Sequence, residues 1–158
     1  MRTHTCVMSA IAGSLRFPGR HKRVLIDTSI WIYHLEQHAE FAAPAGLVIE
    51  SLQSGKFLGV VSELALLELT VKPLQLQRQD VADQYEVLLQ HFPNLHILPV
   101  DREILLQAAQ LRATHRLKTP DAIQLATGLR WKATLAVTND AAWRDLTGIE
   151  TLLLSDLE

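Results

Sequence analysis

A chain of 158 residues, 48% hydrophobic and 20% charged, has the size and composition of one soluble globular domain with a substantial core. No apolar run approaches the roughly 18 residues that a membrane helix needs, so a membrane-spanning protein is not expected. The only cysteine is Cys6, which rules out a disulfide framework or an internal thiolate cluster for zinc or iron and points to a reducing cytoplasm.

The formal net charge of −2 conceals an uneven distribution. Residues 1 to 23 carry five basic residues (Arg2, Arg16, Arg20, Lys22, Arg23) and no acids, leaving ten basic against seventeen acidic residues, net −7, in the rest. We therefore divide the chain into a basic arm over 1–22 and a single domain over 23–158. The arm has the basic start, apolar middle and Ala10-Ile11-Ala12 that suggest a secretory signal, but Ser9 and Gly13 break its apolar part. Its composition better fits a disordered arm, a misassigned start or a cloning-derived extension.

From Val24 onward two periodicities alternate. VLID at 24–27 is a short apolar run suited to a buried strand, and the TSIWIYHLEQH that follows is amphipathic. Residues 45–52 read as a helix after Pro44, FLGVV at 57–61 as a second strand, and SELALLELTVK at 62–72 as a helix stopped before Pro73. A polar-faced helix follows over 76–91, then LHILPV at 95–100 as a third strand. Asp101 opens a helix to about His115, and Thr119 caps another to about Arg130. ATLAVT at 133–138 is a fourth strand and TLLL at 151–154 a fifth. Strands alternating with helices, most of them continuous apolar runs, predict an α/β fold: a mostly parallel central sheet of about five strands with helices on both faces.

Ligands of such sheets bind outside the carboxyl ends of the strands. Asp27 closes the first strand and Asp140 follows the fourth in VTND, so both are expected at that edge. Asp121 opens the helix before the fourth strand. A helix antiparallel to that strand is expected to start at the opposite edge unless it crosses over, so topology leaves Asp121 unplaced. Each acid also has a local role open to it. Asp27 could cap the helix after it, Asp121 sits in a first turn where the helix dipole favours negative charge, and Asn139 or Asp140 could cap a turn through Trp143.

Glu68 is harder to explain locally. Its helix is apolar most of the way round (Leu64, Leu66, Leu67, Leu69, Val71), and such a helix is expected to be buried. At about 100° per residue Glu68 lies ~40° from Leu64 and ~60° from Val71, far from either terminus, so capping cannot account for it. A buried carboxylate needs a cation, a metal or hydrogen bonds. Lys72 at i+4 is a competing partner, and Glu63 a competing acid that periodicity does not exclude.

Taken in order, IDTSIWI, the acid within LALLELTVKP, LKTPDAIQLATGL and VTNDAAW resemble the successive motifs of the PIN-domain nucleases, especially the VapC-type toxins of bacterial toxin-antitoxin modules. The resemblance covers most of residues 24–154. It implies that Asp27, Glu68, Asp121 and Asp140 form one catalytic, metal-binding cluster, with Glu68 rather than Glu63 in the helix position and Asp121 in the pocket. Thr28, Ser29, Thr138 and Asn139 flank these acids and could orient them. The basic arm, and Ser29 where many members carry Asn, depart from the family pattern.

Clustered carboxylates repel one another, and a divalent ion removes the conflict. Hard oxygen ligands without histidine or cysteine suit Mg²⁺ or Mn²⁺, which can activate water and clamp phosphoryl oxygens for phosphodiester hydrolysis. The resemblance implies an endoribonuclease leaving 5′-phosphate and 3′-hydroxyl ends, a homodimer, and a cognate antitoxin whose segment enters the acidic pocket. The acids by themselves do not distinguish RNA from DNA.

Between Ile104 and Arg144 lie six of the ten basic residues and only two acids, Asp121 and Asp140. Arg112 and Arg116, at i and i+4, are expected to share a helix face and hold substrate phosphates. Two other function classes compete. One is an inactive PIN-like binding module; the other is a phosphatase of the haloacid-dehalogenase type, which usually wants a second Asp where this chain has Ser29. His34 and His38 have a zinc-like i, i+4 spacing, but Glu36 is not where an HExxH protease places its acid. Trp31, Tyr33 and Trp143 read as core or interface aromatics rather than base-stacking platforms.

Overall fold

The computed structural model describes residues 19–146 and 148–157, so the arm up to residue 18 lies outside the described residues. The elements are β1 (Arg23–Ile26), α1 (Thr28–Leu35), α2 (Ala42–Gln53), β2 (Leu58–Ser62), α3 (Leu64–Gln75), α4 (Gln79–His91), β3 (Leu95–Leu98), α5 (Arg102–Thr114), α6 (Thr119–Arg130), β4 (Leu135–Thr138) and β5 (Glu150–Leu153). Short 3₁₀ turns occupy Ala141–Trp143 and Leu154–Leu157. The strands form one sheet, ordered β3-β2-β1-β4-β5, in which every pairing is parallel.

Strand β1 lies at the centre, and its alternating side chains enter two different cores. Val24 and Ile26 pack with Val61, Val137, Trp31 and Leu52. Leu25 points the other way, into a core with Val60, Ala136, Ile104 and Leu125. Helices cover both faces, so Val24, Leu25 and Ile26 are all 0% exposed. That two-sided burial is why the strand is a continuous apolar run rather than an alternating one.

Five local expectations change. Helix α2 starts at Ala42, with Pro44 inside its first turn, where a missing N–H costs no intrahelical bond. Helix α3 runs through Pro73 to Gln75. The proline falls in the last turn, and the chain recovers at once with Leu76 N–H to Lys72 O at 3.1 Å. Nor is α3 buried all round: Ala65, Leu69 and Pro73, four residues apart, face inward, while Leu67 and Val71 are exposed. The helix expected from residue 76 begins at Gln79. Thr119 is the first residue of α6 rather than its cap, and Lys118 in the capping position makes no side-chain cap bond. Asp101 does cap α5, accepting from Ile104 N at 2.9 Å.

At the amino edge of the sheet, Arg20 donates to both oxygens of Glu150 (2.8 and 2.7 Å) and His21 Nδ1 meets Thr134 Oγ1 at 2.8 Å. These bonds tie the start of the described chain to β5 and to the turn before β4. Among the described residues, no helix is long and apolar enough to cross a membrane.

Helix α6 lies unusually close to β1, because a Cβ on Gly128 would fall 2.8 Å from Leu25 Cδ2 and 3.0 Å from Leu25 Cβ. Gly128→Ala should therefore force α6 away from the sheet and destabilise the fold by about 1–3 kcal/mol. Urea unfolding measures this; an unchanged midpoint would show that the helix has room to spare.

Candidate active site

The site begins where β1 ends. Asp27 N–H bonds Val137 O at 2.9 Å, so the sheet ladder itself carries Asp27 to the carboxyl edge beside β4. Asp27 is only 6% exposed. Asp27 Oδ2 accepts from Thr138 Oγ1 at 2.7 Å and from Ser29 Oγ at 2.9 Å, and the side chain makes no cap bond to α1. Thr138 Oγ1 in turn accepts from Asp140 N–H at 3.1 Å, linking the acids of the two neighbouring strands. Asp140 does have the capping role open to it: its Oδ1 accepts from Ala142 N at 2.9 Å. Its second oxygen accepts no hydrogen bond among the described residues.

Asp121, which topology left unplaced, stands at the same edge. Gln124 bonds Thr28 just beyond β1, Gly128 packs on Leu25 in the middle of β1, and Thr134 N–H bonds Arg23 O at its start. Helix α6 thus descends antiparallel to the strands. A helix that descends to the start of its next strand must begin at the carboxyl edge, and Asp121 in its first turn is there.

Glu68 reaches the cleft from α3. Its Oε1 accepts from Thr28 Oγ1 at 3.0 Å and from Gln124 Nε2 at 2.7 Å. Lys72 is not its partner; Lys72 Nζ pairs with Glu36 Oε2 at 3.0 Å. Glu63 is exposed at the start of α3 and outside the cleft lining. Asp27, Glu68, Asp121 and Asp140 together line one open cleft of about 390 Å³, with Ser29, Tyr33 and Asn139 also on its walls.

Crowding like charges at low solvation has the expected electrostatic result. Burial pushes the Asp27 carboxyl above its ordinary range, against the opposing bonds from Thr138 and Ser29. Burial also raises Glu68; the Thr28 hydroxyl opposes this, the Asp27 charge adds to it and the Gln124 amide again opposes. Asp121 is pushed up to about 6, first by burial and then by the charges of Asp27, Asp140 and Glu68. The Trp143 indole offsets part of this rise, although its Nε1 makes no hydrogen bond of standard geometry. As the side chains stand, no three His, Cys, Asp or Glu groups among the described residues converge tightly enough to hold a metal ion by themselves.

Other expected site residues lie elsewhere. Helix α5 ends at Thr114, so Arg112 and Arg116 do not share a helix face. Arg112 folds back onto the next loop, donating to Leu117 O at 3.0 Å and Thr119 Oγ1 at 2.9 Å, and neither arginine lines the cleft. Arg130 pairs with Glu103 and Arg144 with Asp156. Among the described residues Arg116, Lys118 and Lys132 have no acidic partner. The amide of Asn139 accepts from Ser155 N–H at 3.3 Å rather than orienting an acid. His38 Nδ1 accepts the N–H groups of Glu40 and Phe41, both at 3.2 Å, so it staples a turn. Trp31 and Trp143 are fully buried, while Tyr33 is half-buried at the cleft.

Gln124 escaped the sequence reading. It is 2% exposed and bonded to both Glu68 and Thr28. The available signal was an amide three residues after Asp121, inside a helix whose residues from Ala122 to Gly128 are all buried.

A family model described as PIN domain matches residues 24–149. Among solved structures, a toxin-antitoxin complex from Klebsiella pneumoniae is similar at 21% identity over 80% of this chain and 94% of that one, with a TM-score of 0.62. VapBC2 from Rickettsia felis bound to a promoter DNA fragment matches at 14% identity, covering 83% of this chain and 98% of that one, with a TM-score of 0.64. FitAcB from Neisseria gonorrhoeae matches at 17% identity, covering 84% and 98%, with a TM-score of 0.62. No curated protein sequence matches.

The raised carboxyl of Asp121 makes stability depend on pH with a definite sign. Its folded pKa of about 6 exceeds the ordinary 3.8, so the folded chain holds an extra proton between those values. Stability is full below the lower value and is lost as pH rises through the upper one. Asp121→Asn should flatten this decline and raise the thermal midpoint at neutral pH, as read by melting curves from about pH 4 to 8. Parallel curves for variant and wild type would remove the repulsion.

Proposed function

The chain belongs to the PIN-domain family, whose members are typically nucleases, and from that premise we propose that it is a divalent-metal-dependent endoribonuclease and the toxin of a toxin-antitoxin pair. The observation that carries this reading is the meeting of four carboxylates, from four separate parts of the chain, on one open cleft at the carboxyl edge of the sheet. The reading includes a cognate antitoxin that neutralises it, a homodimer and action in the cytoplasm; the toxin-antitoxin complexes with the same fold support the antitoxin.

The donor set fits Mg²⁺ or Mn²⁺. The cluster is made of hard carboxylate oxygens; three of its members are raised by burial, and Glu68 and Asp121 also by neighbouring acids, a strain that a cation relieves. Glu68 Oε2 and Asp140 Oδ2 accept no hydrogen bond among the described residues. Mg²⁺ keeps several waters and is commonly bound by only one or two carboxylates directly. A cleft in which no three acids converge is therefore compatible with it. Asp27, Glu68, Asp121 and Asp140 would hold the ion, directly or through water. When bound, it would supply a Lewis acid and a water acidified enough to attack phosphorus.

The chain's own groups prepare for that chemistry. Thr138 and Ser29 hold Asp27 by one oxygen, and Thr28 and Gln124 hold Glu68 by one oxygen. The acids are thus oriented before any ligand arrives, which avoids reorganisation during the reaction. Substrate phosphates would be drawn by Arg116 and by Lys118, in the loop leading into the helix of Asp121. Arg112 contributes indirectly, by bracing that loop.

Single-stranded RNA should be cut in Mg²⁺ or Mn²⁺ and not in EDTA, and Asp27→Asn and Asp121→Asn should each reduce cleavage by about 10²-fold or more. Cutting that survives EDTA or both substitutions would sink the nuclease reading. Arg116→Glu combined with Lys118→Glu should weaken RNA binding and reduce the slope of log affinity on log salt by ~0.7 per lost phosphate contact. An unchanged slope would place the RNA path elsewhere.

A further inference from the structure

Gln124 uses every polar atom of its side chain. The backbone N–H of Thr28 approaches Oε1 at 3.4 Å, and since that group can only donate, it settles which way the amide stands. Nε2 therefore faces Glu68. One of its hydrogens goes to Glu68 Oε1 at 2.7 Å and the other to Thr28 Oγ1 at 3.1 Å. The Thr28 hydroxyl passes its own hydrogen to the same Glu68 Oε1 at 3.0 Å. Two donors thus grip one oxygen of Glu68, and Oε2 accepts no hydrogen bond among the described residues.

We infer that Gln124 is a specificity-determining positioning residue, which makes Glu68 a one-oxygen ligand and so biases the cleft toward small octahedral cations and against Ca²⁺. This rests on the reading of the cleft as a divalent-cation centre. Ca²⁺ takes about 6–8 oxygens and often both oxygens of a carboxylate, whereas Mg²⁺ needs a compact octahedron at about 2.0–2.1 Å. Oε1 already accepts from two donors, which occupy both of its lone pairs. For Glu68 to chelate through both oxygens, Oε1 would have to give up at least one of them, and losing the Gln124 bond would strand an N–H on a residue that is 2% exposed, a loss that the single-oxygen mode avoids. Three near alternatives each fall short. A glutamate would add a fifth negative charge, a leucine has no donor, and an asparagine is one methylene too short to hold Thr28 and Glu68 together.

The test is calorimetric titration of wild type, Gln124→Leu, Gln124→Asn and Thr28→Val with MnCl₂ and with CaCl₂, alongside thermal midpoints without metal. Wild type should prefer Mn²⁺. Gln124→Leu should weaken Mn²⁺ binding on the order of tenfold while leaving or improving Ca²⁺ binding, so the preference shrinks by at least that factor. Thr28→Val, which removes one of the two donors, should fall between. Should Gln124→Leu fail to fold, Gln124→Asn and Thr28→Val carry the same comparison. A lower thermal midpoint with both affinities reduced in proportion would overturn the inference and leave Gln124 a packing residue. A wild type that binds neither ion would overturn the metal-centre reading itself, a failure visible before any variant is compared.

Discussion

Like charge confined at one edge of a sheet is the constraint to which the rest of this structure answers. Asp27, Glu68, Asp121 and Asp140 line a single cleft, and the charges of the other three acids reinforce the burial that raises Asp121. A chain free to move would separate them. They stay together because each is carried on the backbone of an element packed into the fold. Asp27 is tied to β4 through Val137 O, and Asp121 rides a helix with seven buried residues in succession.

The polar residues around the acids complete this arrangement and offset only part of the burial. Thr138 joins Asp27 to the backbone of Asp140, and Gln124 joins α6 to α1 and α3. These side chains fix orientation, yet none carries the positive charge that would neutralise the cluster, and the nearest cation on α3, Lys72, is turned to Glu36. Acids held oriented with no neighbouring cation among these side chains are the kind of departure from the best local packing expected at functional sites.

The opposite edge of the sheet is built the other way. Arg20 and His21 meet Glu150 there, and Arg23 donates to Trp131 O at 2.8 Å while its guanidinium lies 4.8 Å over the Trp131 ring. Opposite charges and a cation on an aromatic face hold the strand starts together. The carboxyls raised by burial lie instead where the strands end, the edge at which parallel sheets bind ligands.

How much of this was legible depended on whether the controlling interactions are local. The alternation of apolar runs with helical periodicity determined the α/β class, and the continuous VLI of β1 announced a strand covered on both faces, because burial imprints directly on residue type. Asp27 and Asp140 were placed at one edge by their position after strands, since parallel strands share a carboxyl end. Asp121 was left unplaced by topology, although the sense of the helix before β4 would have been enough to place it; here the signal was present and went unused. Other features could not be read from spacing. Pro73 sits buried inside the last turn of α3, and Arg112 bends back to Leu117 and Thr119 because its helix stops short of Arg116. That Glu68 is held by Gln124 and Thr28, 56 and 40 positions away in the chain, was settled only by packing. Sequence patterns record which face of an element is buried; which side chains then meet across three elements is decided when those faces come together.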